Sequence, residues 1–149
     1  MNKINPTTCV ATSNLKIDIP DNQGRNIVLY FYPKDDTPGC TIEGNDFTQL
    51  NEAFAENNTV IYGVSRDSIA SHEKFKQKFN YTIDLISDED ESLCNQFDVI
   101  KLKKLYGKEH MGIVRSTFVI SPTGDILKHW DKVKVAEHAQ EVLEFVKEL

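Results

Sequence analysis

Cys40 is the residue of this sequence whose position is best suited to chemistry. It ends the loop PKDDTPGC, which directly follows the apolar run IVLYFY at residues 27–32. A β-branched and aromatic run followed by a polar loop with Pro and Gly predicts a buried strand that leads into a helix. The free N–H groups and the dipole of a helix N-terminus favour a thiolate, which is the nucleophilic form of cysteine. The sequence therefore predicts a reactive thiol, the alternative being a cysteine that only packs as a small apolar side chain.

The neighbours of Cys40 favour the reactive interpretation. Thr37 stands three residues before it, and Pro38-Gly39 lets the backbone come close while its amide hydrogens stay exposed. The Thr37 side chain could cap the helix, contact a substrate, or do both.

The elements that must position Cys40 alternate between strands and helices. Apolar spacing predicts strands at 15–19, 27–32, 59–64, 83–86, 115–120 and 125–130, and helices at about 40–56, 68–80, 89–97 and 135–148. Asp88 is expected to cap the third helix, with Glu91 completing a capping box. This order predicts an α/β fold, a mixed β-sheet with helices on both faces.

Length and charge limit the classes of function. The 149 residues, 40% of them hydrophobic, predict one domain over 1–149 with a sizeable core. Acidic residues outnumber basic ones, 23 to 17, so nucleic-acid binding would need a local basic cluster. The lysines of segment 101–108 are the candidate, but Tyr106-Gly107 among them predicts a solvated loop, and no nucleic-acid partner is expected. No apolar run could span a bilayer and no signal peptide opens the chain, so we expect a cytoplasmic protein without a membrane partner.

The three cysteines, Cys9, Cys40 and Cys94, contain no C-x-x-C pair. They are too few for a disulfide framework or a four-thiolate metal site. The four histidines lack metal-ligand spacing and are expected on the surface or on helix faces. We therefore expect no metal and no cofactor, and an odd number of thiols in a reducing compartment favours catalysis by one of them.

The segment Pro33-x-x-x-Thr37-x-x-Cys40 resembles the active-site signature of peroxiredoxins. The nearest subfamily is the Q type, also called bacterioferritin comigratory protein. Three more segments are similar to that subfamily at matching spacing: GVSRDS at 63–68, SDED at 87–90 and RSTF at 115–118. The resemblance covers about residues 26–149 and matches poorly before them. It implies a single thioredoxin-like domain.

The resemblance also implies an activity, that of a thioredoxin-dependent peroxidase acting on hydrogen peroxide and organic hydroperoxides. Such a family member is an antioxidant oxidoreductase and is often a monomer. The resemblance makes Cys40 the peroxidatic cysteine, Pro33 its shield, and Thr37 and Arg115 the side chains that bind the peroxide. These roles suit the chemistry, because breaking an O–O bond needs donors at both oxygens and a fixed orientation. Amides near Gly39 and Cys40 would complete the cradle.

Glu43 and Arg115 are also open to a structural interpretation. A long charged residue that opens a strand, as Arg115 does, is usually a surface residue or an ion-pair partner. Glu43 stands three residues after Cys40 on the same helical face, so we expect it to support the site by orienting Arg115.

The thiol that regenerates Cys40 is the open half of the mechanism. Attack on a peroxide leaves a sulfenic acid, which condenses with a second thiol or is oxidised further. Q-type relatives often carry that thiol five residues after the peroxidatic cysteine, where this chain has Asn45, or on the next helix, which has no cysteine here. We expect an external thiol, such as thioredoxin or another reductant. Cys94 is the possible internal resolving residue, although its place beside Leu93 is typical of a structural cysteine, and Cys9 is the weaker alternative.

The same residues weigh against two other enzyme classes. A thioredoxin-like disulfide exchanger would need a second cysteine close after Cys40, and a glutathione peroxidase would need a Trp-Asn pair, whereas Trp130 precedes an aspartate. A non-enzymatic peroxide sensor or chaperone-like redox module, which relays oxidation of Cys40 to a partner, is the alternative function. Repeated turnover with a reductant would distinguish the enzyme from the sensor.

Overall fold

The computed structural model describes residues 2–149 of the chain. Over these residues the strands are β1 (Thr7–Ala11), β2 (Leu15–Ile19), β3 (Asn26–Phe31), β4 (Thr59–Ser65), β5 (Asp84–Ser87), β6 (Ile100–Leu105), β7 (Lys108–Ile113), β8 (Ser116–Ile120) and β9 (Ile126–Trp130). The helices are α1 (Pro38–Glu56), α2 (Ile69–Phe79), α3 (Ser92–Gln96) and α4 (His138–Lys147). None of these helices combines the length and the apolar character that crossing a membrane requires.

Seven strands form one mixed sheet in the order β2-β1-β5-β4-β3-β8-β9. β3 pairs in parallel with β4, and β4 with β5, whereas β3 and β8 are antiparallel. The central position of β3 explains its unbroken apolar run, because a strand covered on both faces has no solvent side. The predicted mixed sheet is confirmed.

Two cores lie on opposite faces of this sheet. Ile27, Leu29 and Phe31 of β3 point into one core, whereas Val28 and Tyr30 point into the other. The second core is covered by α1, α2 and α4, and we call its side the three-helix face. The first core includes residues of α3, and we call its side the α3 face. Helices therefore cover both faces, as predicted.

Three local predictions differ from the structure. β1 lies in the poorly matched N-terminal segment, where the sequence predicts no strand, because its residues Thr-Thr-Cys-Val-Ala do not alternate between apolar and polar. Segment 101–108 is part of the two-stranded β6–β7 hairpin and not a loop, although its turn at Tyr106 is exposed as expected. α3 starts at Ser92, and Glu91, not Asp88, occupies its N-cap position, so the capping box is wrong. Asp88 nevertheless serves α3, since its carboxylate accepts from the backbone N–H groups of the first turn.

The sheet topology places the reactive segments together. Parallel strands end at one edge of a sheet, so the loops that follow β3 and β4 are neighbours. β8 runs the other way, and its first residue, Ser116, pairs with Phe31 at the end of β3. Arg115 therefore enters the sheet beside the loop that leads to Cys40.

Candidate active site

Cys40 lies in the first turn of α1, and its side chain is buried in the core of the three-helix face. The first backbone hydrogen bond of the helix runs from the Thr41 N–H to the Thr37 carbonyl oxygen, at 2.9 Å. This leaves the N–H groups of Gly39 and Cys40 outside the helical ladder. Pro38 occupies the first turn, where a missing N–H costs no helical bond. The helix therefore begins with free amides at Cys40 and at the residue before it.

Arg115 bridges Cys40 and Glu43. Its Nη2 donates to the Cys40 Sγ at 3.3 Å, and its Nη1 donates to the Glu43 Oε1 at 2.5 Å. A planar guanidinium can make both contacts at once because its donors form a rigid fork. The predicted contact between Arg115 and Glu43 is present in the structure.

Gly39 gives Arg115 the room to reach the sulfur. A Cβ atom at this position would lie 3.2 Å from the Arg115 Nη2, which is closer than ordinary van der Waals contact. A larger residue would therefore displace the guanidinium from Cys40.

Glu43 is a buried carboxylate whose charge is only partly compensated. Its side chain is 1% exposed, and its Oε2 has no hydrogen-bond partner among residues 2–149. Burial raises the pKa of Glu43 from 4.5 to about 7, although the charge of Arg115 opposes the shift. The Glu43 side chain therefore exchanges its proton near neutral pH.

We expect Glu43→Gln to change how stability depends on pH. Because folding raises the pKa of Glu43, the stabilising effect of its bound proton is fully present below pH 4.5 and is lost as the pH rises to about 7. The wild-type free energy of unfolding should therefore fall by about 3 kcal/mol relative to that of the Gln variant between these limits. Urea unfolding of both proteins across this range measures the difference. Parallel pH profiles would contradict the prediction.

Thr37 and Pro33 lie in the loop between β3 and α1. Thr37 occupies the N-cap position, but its side chain does not cap the helix. Its hydroxyl instead donates to the Lys34 carbonyl oxygen at 2.8 Å, so its lone pairs are left to accept a hydrogen bond. The prediction that the Thr37 side chain caps the helix is therefore wrong. Pro33 is half-buried at the start of the same loop.

Cys94 and Cys9 lie on the other side of the sheet from Cys40. Cys94 is fully buried in the core of the α3 face, and Cys9 packs against the same core. Burial raises the pKa of Cys94, with Asp88 adding to the shift, and the same two causes raise the pKa of Cys9 to about 11. Both thiols therefore stay protonated at neutral pH, and the sheet separates them from Cys40.

The sequence did not predict one polar cluster close to the active-site loop. In the described part of the chain, one potential metal-ligand atom from each of Asp35, Asp67 and His72 lies within 4.8 Å of the other two. His72 is fully buried, although it lies on a helix face as expected. His72 lies one helical turn before the buried Phe75, and this spacing could have predicted that His72 faces the core.

Comparisons with known proteins agree with this arrangement. The model of the AhpC/TSA family matches residues 3–129. Peroxiredoxin Bcp of Bacillus subtilis is 51% identical over 133 residues, which is 89% of this chain and 85% of that protein. Peroxiredoxin Bcp of Xanthomonas campestris is 53% identical over 124 residues, covering 83% of this chain and 78% of that protein.

Solved structures show the same fold. A structure of the Xanthomonas campestris bacterioferritin comigratory protein, determined to study its alkyl peroxide reduction activity, superposes with a TM-score of 0.89 at 46% identity. The superposition covers 95% of this chain and 90% of the Xanthomonas campestris chain. The thioredoxin-like fold and the resemblance carried by the four motifs are thereby confirmed. The chain belongs to the AhpC/TSA family of peroxiredoxins, as a thiol peroxidase of the Bcp type that reduces peroxides with thiol-derived electrons.

Proposed function

We propose that Cys40 is the peroxidatic cysteine of this enzyme. The observation that carries the proposal is the contact of 3.3 Å between the Arg115 Nη2 and the Cys40 Sγ, at the start of a helix. In the reaction the thiolate sulfur forms a bond to one peroxide oxygen, the O–O bond breaks, and the other oxygen leaves with the electron pair. The products are a sulfenic acid and, after protonation, water or an alcohol.

The groups around Cys40 match the needs of this displacement. The Arg115 guanidinium and the free amides of Gly39 and Cys40 can stabilise the charge that develops on the leaving oxygen. The lone pairs of Thr37 can accept from the peroxide O–H, and Pro33 shields the sulfur from water. Hydrogen peroxide and organic hydroperoxides are the proposed substrates, and the alkyl peroxide reduction of the Xanthomonas campestris relative supports the second class.

An external thiol is the proposed resolving group. The sulfenic acid of Cys40 and an incoming thiol give a mixed disulfide and water, and a second thiol then releases the reduced enzyme. Thioredoxin is the proposed reductant. The location of Cys94 supports this route, because a disulfide needs Cα atoms within about 7 Å and these two cysteines lie in cores on opposite faces of the sheet.

Intact mass after one equivalent of peroxide tests both steps. We expect a gain of about 16 Da that peptide mapping assigns to Cys40, or an adduct of Cys40 with an added small thiol. A loss of about 2 Da would indicate an internal disulfide and would overturn external resolution. The matched control is Cys94→Ser, which should show the same mass changes on oxidation as the wild type.

We propose one domain over residues 1–149, because both cores share a single sheet. We also propose a monomeric cytoplasmic enzyme that has no nucleic-acid or membrane partner. The sensor alternative is not favoured, since the relatives of this chain are named peroxiredoxins.

A further inference from the structure

Asp35 ties the active-site loop to the neighbouring helix α2. Its side chain is buried, and its Oδ1 accepts from the Tyr32 hydroxyl at 2.6 Å. Its Oδ2 accepts from the Ser71 hydroxyl at 2.7 Å and lies 2.7 Å from the His72 Nδ1. Its backbone N–H donates to the Asp67 Oδ2 at 2.9 Å. The carboxylate thus joins the residue that follows β3 to two residues of α2.

The His72 ring extends this connection to β5. It is fully buried, and its Nε2 lies 2.9 Å from the Ile86 carbonyl oxygen. A carbonyl oxygen can only accept, so Nε2 carries a hydrogen. On the other side of the ring, one more proton must lie between Nδ1 and the Asp35 Oδ2, on either atom. The Asp35–His72 contact is therefore a short hydrogen bond between two buried groups.

Within residues 2–149, the loop makes one other side-chain hydrogen bond to α2. This bond belongs to the exposed ion pair of Asp36 with Lys78, and exposed pairs contribute little to stability. Asp36 also has a φ of 58°, a left-handed conformation that is unfavourable for a residue with a Cβ. Thr37 donates to Lys34 within the same loop, so Thr37 follows any movement of the loop.

We propose that Asp35 and His72 are positioning residues for the peroxidase reaction. They hold the loop of residues 33–37 so that Thr37 and Pro33 face the sulfur of Cys40. The inference rests on the proposed role of Cys40. Buried polar pairs contribute little net stability compared with apolar residues of the same size, so a role in fixing geometry explains this pair better than stability does. An error of about 1 Å in such a geometry can cost about a hundredfold in rate.

Two substitutions of His72 separate positioning from stability. The amide nitrogen of His72→Asn can take the place of Nδ1 and still donate to Asp35, while the contact with Ile86 is lost. The longer His72→Gln places its amide where Nε2 was, which keeps the donor to Ile86 and loses Asp35. Each variant loses one buried hydrogen bond, so a purely structural role would affect both alike.

The rate constant for oxidation of Cys40 by hydrogen peroxide is the measurement, taken by rapid quench with mass detection. We expect His72→Asn to stay within about threefold of the wild type and His72→Gln to fall about ten- to a hundredfold. The reductant half-reaction should be unchanged in both variants. Equal rate constants in the two variants at similar melting temperatures would overturn the proposal.

A third variant covers the case in which His72→Gln does not fold. Ser71→Ala removes one hydrogen bond to the Asp35 Oδ2 at a half-buried position and should lower the same rate constant about threefold. An unchanged rate constant in this variant would also count against positioning by Asp35. Failure of the proposed function itself is recognised separately, since wild-type oxidation would then map to a residue other than Cys40.

Discussion

Replacing Cys40 with Ser should abolish peroxide consumption, lowering the rate by more than about a thousandfold. The substitution removes the nucleophile, and a serine hydroxyl in its place has no base to activate it. Neither remaining thiol can substitute, because burial raises the pKa of Cys94 and of Cys9 and keeps both in the unreactive protonated form. Peroxide loss in the presence of a thiol reductant measures the effect.

The matched controls for this variant are Cys9→Ser and Cys94→Ser. Both should form the Cys40 sulfenic acid at the wild-type rate, since neither side chain lies on the three-helix face. Full activity of Cys40→Ser would refute the assignment of the peroxidatic cysteine. Many peroxides consumed per chain in the wild type identify an enzyme, whereas a single oxidation event would be typical of a sensor.

The parts of the fold that were predictable are those with one dominant apolar period. β3 and β4 have near-continuous apolar runs because they lie at the centre of the sheet, and α1 follows directly after a loop with Pro and Gly. The β6–β7 hairpin was not predictable in this way. Its strands are mostly exposed, and the burial of their residues does not alternate along the chain, so no core-facing side identifies them as strands.

The contacts of the active site are likewise of two kinds, those that could be predicted from the sequence and those that could not. The contact of Glu43 with Arg115 joins residues 72 positions apart. It was predictable because helical spacing places Glu43 beside Cys40 and the resemblance to peroxiredoxins places Arg115 at the same sulfur. The Asp35–His72 contact joins residues 37 positions apart, and it exists because parallel strands bring their following loops to one edge. The face of the sheet on which Cys94 lies was equally hidden, since a helix as short as α3 carries too few residues to show which side it covers.

Arg115 is the side chain whose loss should have the largest effect after Cys40. Arg115→Met removes the donor to the Cys40 sulfur and to the leaving oxygen, and we expect the rate constant for Cys40 oxidation to fall about 10²–10³-fold. Arg115→Lys keeps the charge but cannot contact the sulfur and Glu43 together, so a loss of about tenfold is expected. Stopped-flow or rapid-quench oxidation by hydrogen peroxide measures both. A rate for Arg115→Met within threefold of wild type would contradict the role of the guanidinium.

A double variant separates this chemical role from the effect on folding. Arg115→Met leaves the buried Glu43 without its partner, and breaking a buried pair costs about 3–5 kcal/mol at a pH above the raised pKa of Glu43, where the carboxylate is charged. Adding Glu43→Gln removes that charge and should restore most of the lost free energy of unfolding. It should not restore the rate, because no donor returns to the sulfur. If the rate constant recovers along with the stability, Arg115 acts only by neutralising Glu43. If the stability recovers and the rate constant does not, Arg115 acts on the peroxide.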